Sequence, residues 1–309
     1  MKTSPVTPTD LAASVIAVPP LARHRDLTIS NADNRALIQH LEDGGVRTLL
    51  YGGNANLYNI GASELPELLD MLEEDAGDET WVIPSVGPDY GKLMDQLAVL
   101  KEREFPTVML LPLGFPATSG GVATGIRRFA ERLGKPVIVY IKADGYLEPS
   151  QVGALASDGL VAAIKYATVR RDPRDDDYLR ALLDVVDRTI VVSGIGERPA
   201  IVHLRDFGLQ GFTSGSACIA PSSSMRILAH CRAGRWDEAM REREAFLPLE
   251  DCRDALSPIR VLHDAVTLAG LADMGPMLPM LSNLPASEHA RVRDAARALR
   301  EHDAQLAAS

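Results

Sequence analysis

The 309-residue sequence predicts a (β/α)8 barrel followed by a C-terminal helical segment. Three observations point to it. Eight short apolar runs, rich in β-branched residues, recur between residues 14 and 214 at about one per 28 residues, the repeat of a βα unit. The runs are apolar almost throughout, as strands covered on both faces of a parallel sheet must be. Helical stripes separate them. A doubly wound sheet is the competing architecture, but it would use about five to seven strands.

The expected strands are Ser14–Val18, Thr48–Tyr51, Trp81–Pro84, Thr107–Leu111, Val137–Tyr140, Leu160–Lys165, Ile190–Ser193 and Gly211–Ser214. Among the helices, Asp33–His40 spaces Leu37 and Leu41 on one face, Tyr90–Phe105 aligns Leu93, Leu97 and Leu100, and Asp175–Asp187 aligns Tyr178, Leu182 and Val185 or Val186. A further helix opens at Ser63 and Glu64, with Pro66 in its first turn. Beyond residue 233 no strand pattern recurs. Arg235–Glu250, Asp254–Leu271 and Ser287–Leu306 read as three helices, the second with Ile259, Leu262, Val266 and Ala269 on one face. Residues 1–13 lack periodicity and are expected to be a mobile tail. The domain reading is therefore tail 1–13, barrel 14–233 and helical segment 234–309.

Composition narrows the function classes. Hydrophobic residues make up 46% and charged residues 24%, as in a globular protein with a sizeable core. The net charge of −10 and 5% aromatic content argue against nucleic acid or an acidic membrane surface as partner. No apolar run approaches the roughly 20 residues of a bilayer span, and the polar start does not read as a signal peptide. The odd cysteine count of three, with no CxxC pair, favours reduced thiols and a cytoplasmic location. The seven histidines show neither HxH nor HExxH spacing, so no metal site is expected.

Ligands of such barrels bind at the C-terminal ends of the strands. Lys165 ends the sixth run, where alternation puts it on one face with the small Ala163. A lysine desolvated there would lose its proton readily and could attack a carbonyl to form a Schiff base. A lysine snorkelling to the rim or paired with a carboxylate is the plainer reading, and the pattern alone leaves both open. Tyr140 ends the neighbouring run, one ladder spacing away, and could relay protons or simply be a core tyrosine. Lys142 shares its parity but reads as a loop lysine. Gly52, Gly53 and Asn54 follow the second run, where paired glycines could turn N–H groups toward a carboxylate or form an unspecific turn. Ser193 and Gly194 end the seventh run and Ser214 the eighth, positions where many barrels bind phosphate. Gly194 and Gly196 form only a GxG, too little for a dinucleotide site, so no cofactor is expected.

Five passages together resemble the dihydrodipicolinate synthase / N-acetylneuraminate lyase family of Schiff-base aldolases. Val161 to Thr168, with Lys165, is similar to the family's G-x-K-x-(A/S) lysine strand, and Val137 to Tyr140 to its tyrosine strand. Tyr51 to Ala55 stands in the place of its G-T-T-G-E loop. Ser193 and Gly194, with Gly211 to Gly215, match its last two strand ends, and Ser257 to Val261 with Leu278 to Met280 match its C-terminal helical segment. The likeness runs from about Val15 to the end. It implies a Schiff-base lysine at Lys165, a proton relay at Tyr140, a small 2-oxo acid as substrate, no metal or cofactor, and a homo-oligomer, commonly a tetramer.

Departures from the family pattern shape the expected activity. Gly53 and Asn54 replace the two threonines that hold the pyruvyl carboxylate in the family, and Asn56 replaces the glutamate. Leu111 to Phe115 lacks the second tyrosine of the relay, for which Tyr51, Tyr58 and Tyr146 are candidates. The loop from Ile141 to Tyr146 lacks the arginine that synthases use for their second substrate. The expected function is a lyase, aldolase or dehydratase acting on pyruvate or another 2-oxo acid, not a true dihydrodipicolinate synthase. The alternatives are a catalytically silent relative that binds a small carboxylate, and a phosphate-binding barrel enzyme using the strand-seven and strand-eight loops.

Overall fold

The computed structural model describes residues 1–307. Eight strands form one parallel sheet: β1 (Ile16–Ala17), β2 (Thr48–Tyr51), β3 (Trp81–Val86), β4 (Met109–Leu110), β5 (Val137–Ile141), β6 (Val161–Tyr166), β7 (Val191–Ser193) and β8 (Thr213–Ser214). Their order is β7-β6-β5-β4-β3-β2-β1-β8. A parallel bridge from Ser193 to Phe212 joins the two ends, so the sheet closes. All eight expected strands are present, and the fold is a (β/α)8 barrel.

Helix α1 (Pro8–Ala13) precedes β1; α2 (Asn31–Asp43), α3 (Leu65–Asp75), α4 (Tyr90–Lys101), α5 (Ser119–Leu133), α6 (Pro149–Ser157), α7 (Asp177–Leu183) and α8 (Glu197–Asp206) occupy the crossovers; and α9 (Pro221–Arg232) follows β8. The stripes read from spacing are the buried ones. Leu37 and Leu41 of α2, Leu93, Leu97 and Leu100 of α4, and Leu182 of α7 all lie in the core between helix layer and barrel. Helix α7 stops at Leu183, short of the expected Asp187, and Val185 is exposed. Four residues separate its end from Arg188–Ile190, a 3-10 turn leading directly into β7.

Two boundary expectations need correction. Residues 1–13 contain α1, capped at Thr7 by a reciprocal pair of hydrogen bonds with Asp10, and Leu11 is fully buried. A single apolar residue under a six-residue helix leaves no periodic signal to read. The C-terminal segment holds four helices rather than three: α10 (Trp236–Arg243), α11 (Leu247–Ala255), α12 (Pro258–Leu268) and α13 (Ala286–Ala307). The expected first helix is interrupted by the 3-10 turn Glu244–Phe246, and Pro248 sits in the first turn of α11, where its missing N–H costs nothing. Cys218, Cys231 and Cys252 are buried free thiols. Among the described residues no helix is long and apolar enough to cross a membrane.

Candidate active site

Strands β5 and β6 pair in register with Tyr140 opposite Lys165, so a backbone ladder fixes the separation of the two side chains. Both sit at the C-terminal end of the barrel. Lys165 is only 5% exposed, and its Nζ stands 4.5 Å from the centroid of the Tyr140 ring. Burial lowers its pKa from the usual lysine range to about 7, and the positive charges of Lys142 and Arg253 push in the same direction. Near neutral pH a large fraction of the amine therefore carries a free lone pair. Burial pushes the Tyr140 phenol up to about 12, so it stays protonated and can donate.

Lys165 and Tyr140 line a cavity of about 610 Å³ at the barrel mouth. Gly53, Asn54, Tyr58, Gly194 and Gly215 contribute to its wall, and α11 covers one side with Glu250 and Arg253. Glycine at 194 is required by contact. A Cβ there would come within 2.7 Å of the Tyr166 carbonyl oxygen and 2.9 Å of Lys165 Cγ. The loop after β7 thus packs directly on the lysine stem.

The other expected site residues divide. Gly53 and Asn54 reach the cavity, but Asn54 Nδ2 donates to the Val18 carbonyl at 2.8 Å, leaving one N–H of its amide for a ligand. Gly52 does not line it: the residue is buried, and a Cβ would meet Ser85 Oγ at 2.8 Å. Neither Gly52 nor Gly53 has positive φ, so the expected anion nest is not built from them; the left-handed position in this loop is Asn56, φ 55°. Asn56 is itself buried, and its side chain bonds the Leu278 carbonyl and Asn59.

Ser193 and Ser214 are corrections of the same kind. Ser193 Oγ is buried 2.8 Å from His203 Nδ1, and Ser214 Oγ accepts the N–H of Ala217 at 2.9 Å. Neither lines the cavity. The N–H groups of Gly194, Gly196 and Glu197 donate to Tyr166 O, Thr213 O and Glu250 Oε1, so those three are spent inside the protein. A phosphate cradle after β7 has no free donors among them.

Of the three candidate second tyrosines, Tyr58 lines the cavity with Tyr140, and an ionised phenol at either would oppose ionisation of the other. Tyr51 is fully buried on the outer side of its strand, near Asp75 and Glu42, and does not reach the cavity. Tyr146 lines a neighbouring groove. Arg253 was not legible in the sequence. No motif marks it, because which face of a C-terminal helix covers the barrel mouth depends on how the segment folds back. Beneath it lies the buried acid pair Glu197 and Glu250, whose carboxyls burial raises above the ordinary range; their mutual repulsion adds to this at Glu250. Among the described residues no cluster of three His, Cys, Asp or Glu side chains forms a metal site.

No family model and no curated protein matches the sequence. Solved structures do. Dihydrodipicolinate synthase from Oceanobacillus iheyensis superposes with a TM-score of 0.83 at 18% identity, covering 95% of this chain and 98% of that one. A catalytic-lysine mutant of Ruminococcus gnavus sialic acid aldolase gives 0.82 at 13% identity, with 97% and 99% covered. The chain has the fold of these enzymes. The dihydrodipicolinic acid synthase family protein YagE from E. coli K12, in complex with pyruvate, gives 0.79 at 19% identity over 93% and 98%. The shared architecture therefore extends through the C-terminal helices.

Proposed function

We propose that the protein is a divergent member of the dihydrodipicolinate synthase / N-acetylneuraminate lyase family, a class I lyase or aldolase that forms a Schiff base between Lys165 and a 2-oxo acid. The observation that carries this reading is the buried Lys165 amine, with its pKa near 7, held over Tyr140 in the cavity at the barrel mouth. The free amine adds to the 2-oxo carbon, and the oxygen takes a proton to give a carbinolamine. Tyr140 donates the proton that lets the hydroxyl leave as water, giving an iminium. The iminium draws electrons from the adjacent bond, which breaks or forms through an enamine. Tyr58, across the cavity, is the second phenol of the relay. Because the amine is desolvated by the protein itself, no metal or organic cofactor is needed to make it nucleophilic.

Borohydride reduction with a panel of 2-oxo acids, read by mass spectrometry, tests this. One acid should leave an adduct on the peptide containing Lys165. Lys165→Arg should abolish it, since a guanidinium stays protonated and cannot attack. An adduct on Lys142, or none with any acid, sinks the reading.

A further inference from the structure

A 2-oxo acid carries a negative carboxylate next to the carbon that Lys165 attacks, and the cavity wall must hold it. The β2 loop offers little. Its glycines are not turned into a nest, and the Asn54 amide is tied to the Val18 carbonyl. The loops after β7 spend three N–H groups on the protein itself.

A fixed cation stands at this place. Arg253 of α11 is held by two hydrogen bonds, Nη1 to Ser216 Oγ at 3.2 Å and Nε to the Pro258 carbonyl at 3.4 Å. Its Nη2 lies beside Asn54 with only a glycine between them. A Cβ built on Gly215 would stand 2.9 Å from Arg253 Nη2 and 2.8 Å from Asn54 Nδ2. A side chain at 215 would fill the space between these two donors; glycine leaves it open.

Arg170 is paired with Asp144 and Asp176, and Arg198 with Asp251 and Asp254. Of the cavity's other arginines, Arg243 is paired with Glu244, and Arg171 is exposed and, like Arg253, makes no salt bridge among the described residues. Glu250, a buried acid of the same helix, accepts the Glu197 N–H at its Oε1; burial raises the carboxyls of Glu250 and Glu197 above the ordinary range, against the opposing pull of Arg253, which stands beyond salt-bridge distance of both. A guanidinium with Nη2 unbonded and no salt bridge, facing a cavity that already holds a lysine amine, is suited to take a carboxylate in fork geometry.

We propose that Arg253, contributed by the C-terminal helical segment, binds the carboxylate of the 2-oxo acid together with the remaining N–H of Asn54, in place of the family's threonine pair. The proposal rests on the Schiff-base reading of Lys165 and names the residue that sets its preference for acids over neutral ketones. Pyruvate and its neutral isostere pyruvamide separate the two ideas. Half-maximal borohydride trapping is measured against the concentration of each, in the wild type and in Arg253→Gln, with thermal melting to check that the variant is folded.

The expected result is a rise of roughly 10–100-fold in the pyruvate concentration needed, the scale of one charged hydrogen-bonding contact, with pyruvamide changed less than about threefold. Arg253→Lys, which keeps the charge and loses the fork, should fall between, and it serves if the Gln variant does not fold. An unchanged pyruvate curve, or equal penalties on both compounds, overturns the proposal while leaving the Lys165 adduct intact. If the wild type gives no adduct at all, the Schiff-base reading falls by itself. Calorimetric titration with propionate then decides the site: heat in the wild type and none in Arg253→Gln upholds the anion site, and no heat in the wild type removes it.

Discussion

The β5–β6 strand pair and the loops after β2, β7 and β8 face the same cavity but are organised in opposite ways. On the strands, backbone groups are consumed by the ladder, so side chains alone face the cavity, at positions set by register. In the loops, backbone and side-chain polar groups are first used to close the barrel and hold neighbouring segments. Ser193 bonds His203, Ser214 caps the following turn, and Asn54 ties β2 to β1. Polar residues at a strand end are thus available to a ligand only after the loop's own hydrogen bonds are satisfied. The comparison teaches that strand parity finds side chains that face the cavity, whereas loop composition finds groups that the fold itself uses.

If that contrast holds, damage at the strand pair should be chemical and damage at the loops structural. Tyr140→Phe removes the donor facing Lys165 and should slow turnover of the reactive 2-oxo acid by about 10²–10⁴-fold, with circular dichroism and melting unchanged. Tyr58→Phe should cost less, because a second phenol assists a relay that Tyr140 begins. A larger loss at Tyr58 would reverse the assigned order.

Lys165 should also be expensive to fold. Its native pKa of about 7 lies below the unfolded value near 10.5, so between those pH values the unfolded chain binds a proton that the native state does not. That contribution to stability is therefore smallest below about pH 7 and rises as pH climbs toward 10. Lys165→Met should raise the melting temperature at pH 7, and the gain should shrink at pH 9–10. A destabilised Met variant at pH 7 would show that the amine is better solvated than its burial implies.

Asn54→Ala is the loop counterpart. It breaks the bond to Val18 O and should lower stability by about 0.5–1.5 kcal/mol, measured by denaturant unfolding, with a similar or smaller weakening of 2-oxo acid binding. The smallest effect is at Lys142, an exposed residue whose charge depresses the Lys165 pKa. Lys142→Gln should let Lys165 hold its proton more easily. The midpoint of the trapping rate against pH, near 7 in the wild type, should move up by less than about one unit, and the shift should vanish at high salt.

The legible part of the site has one origin. Lys165 and Tyr140 could be found because β5 and β6 are continuous apolar runs whose ends and parity are printed in the chain, and register follows from parity in a parallel pair. Tyr51, Tyr58 and Tyr146 are candidates that spacing could not separate; of the three, Tyr58 lines the cavity, Tyr51 is buried behind its strand and Tyr146 lines a neighbouring groove. Gly52, Ser193 and Ser214 were misplaced because a polar or small residue after a strand looks the same in sequence whether it meets a ligand or a neighbouring loop.

The sequence by itself determined the eight strands, their spacing and hence the barrel, since hydrophobic period is a local property that burial on two faces imposes on each strand. Period and parity likewise put Lys165 and Tyr140 at neighbouring strand ends, while the roles expected of them came from the family resemblance. Only the tertiary structure decided the state of the lysine, because desolvation and the fields of Lys142 and Arg253 come from residues far apart in the chain. The fold likewise decided that α11 lies over the mouth and brings Arg253 beside Asn54 and Gly215. That contact joins residues about 200 positions apart, and no local pattern carries information about which helix face a folded-back segment will turn toward the barrel.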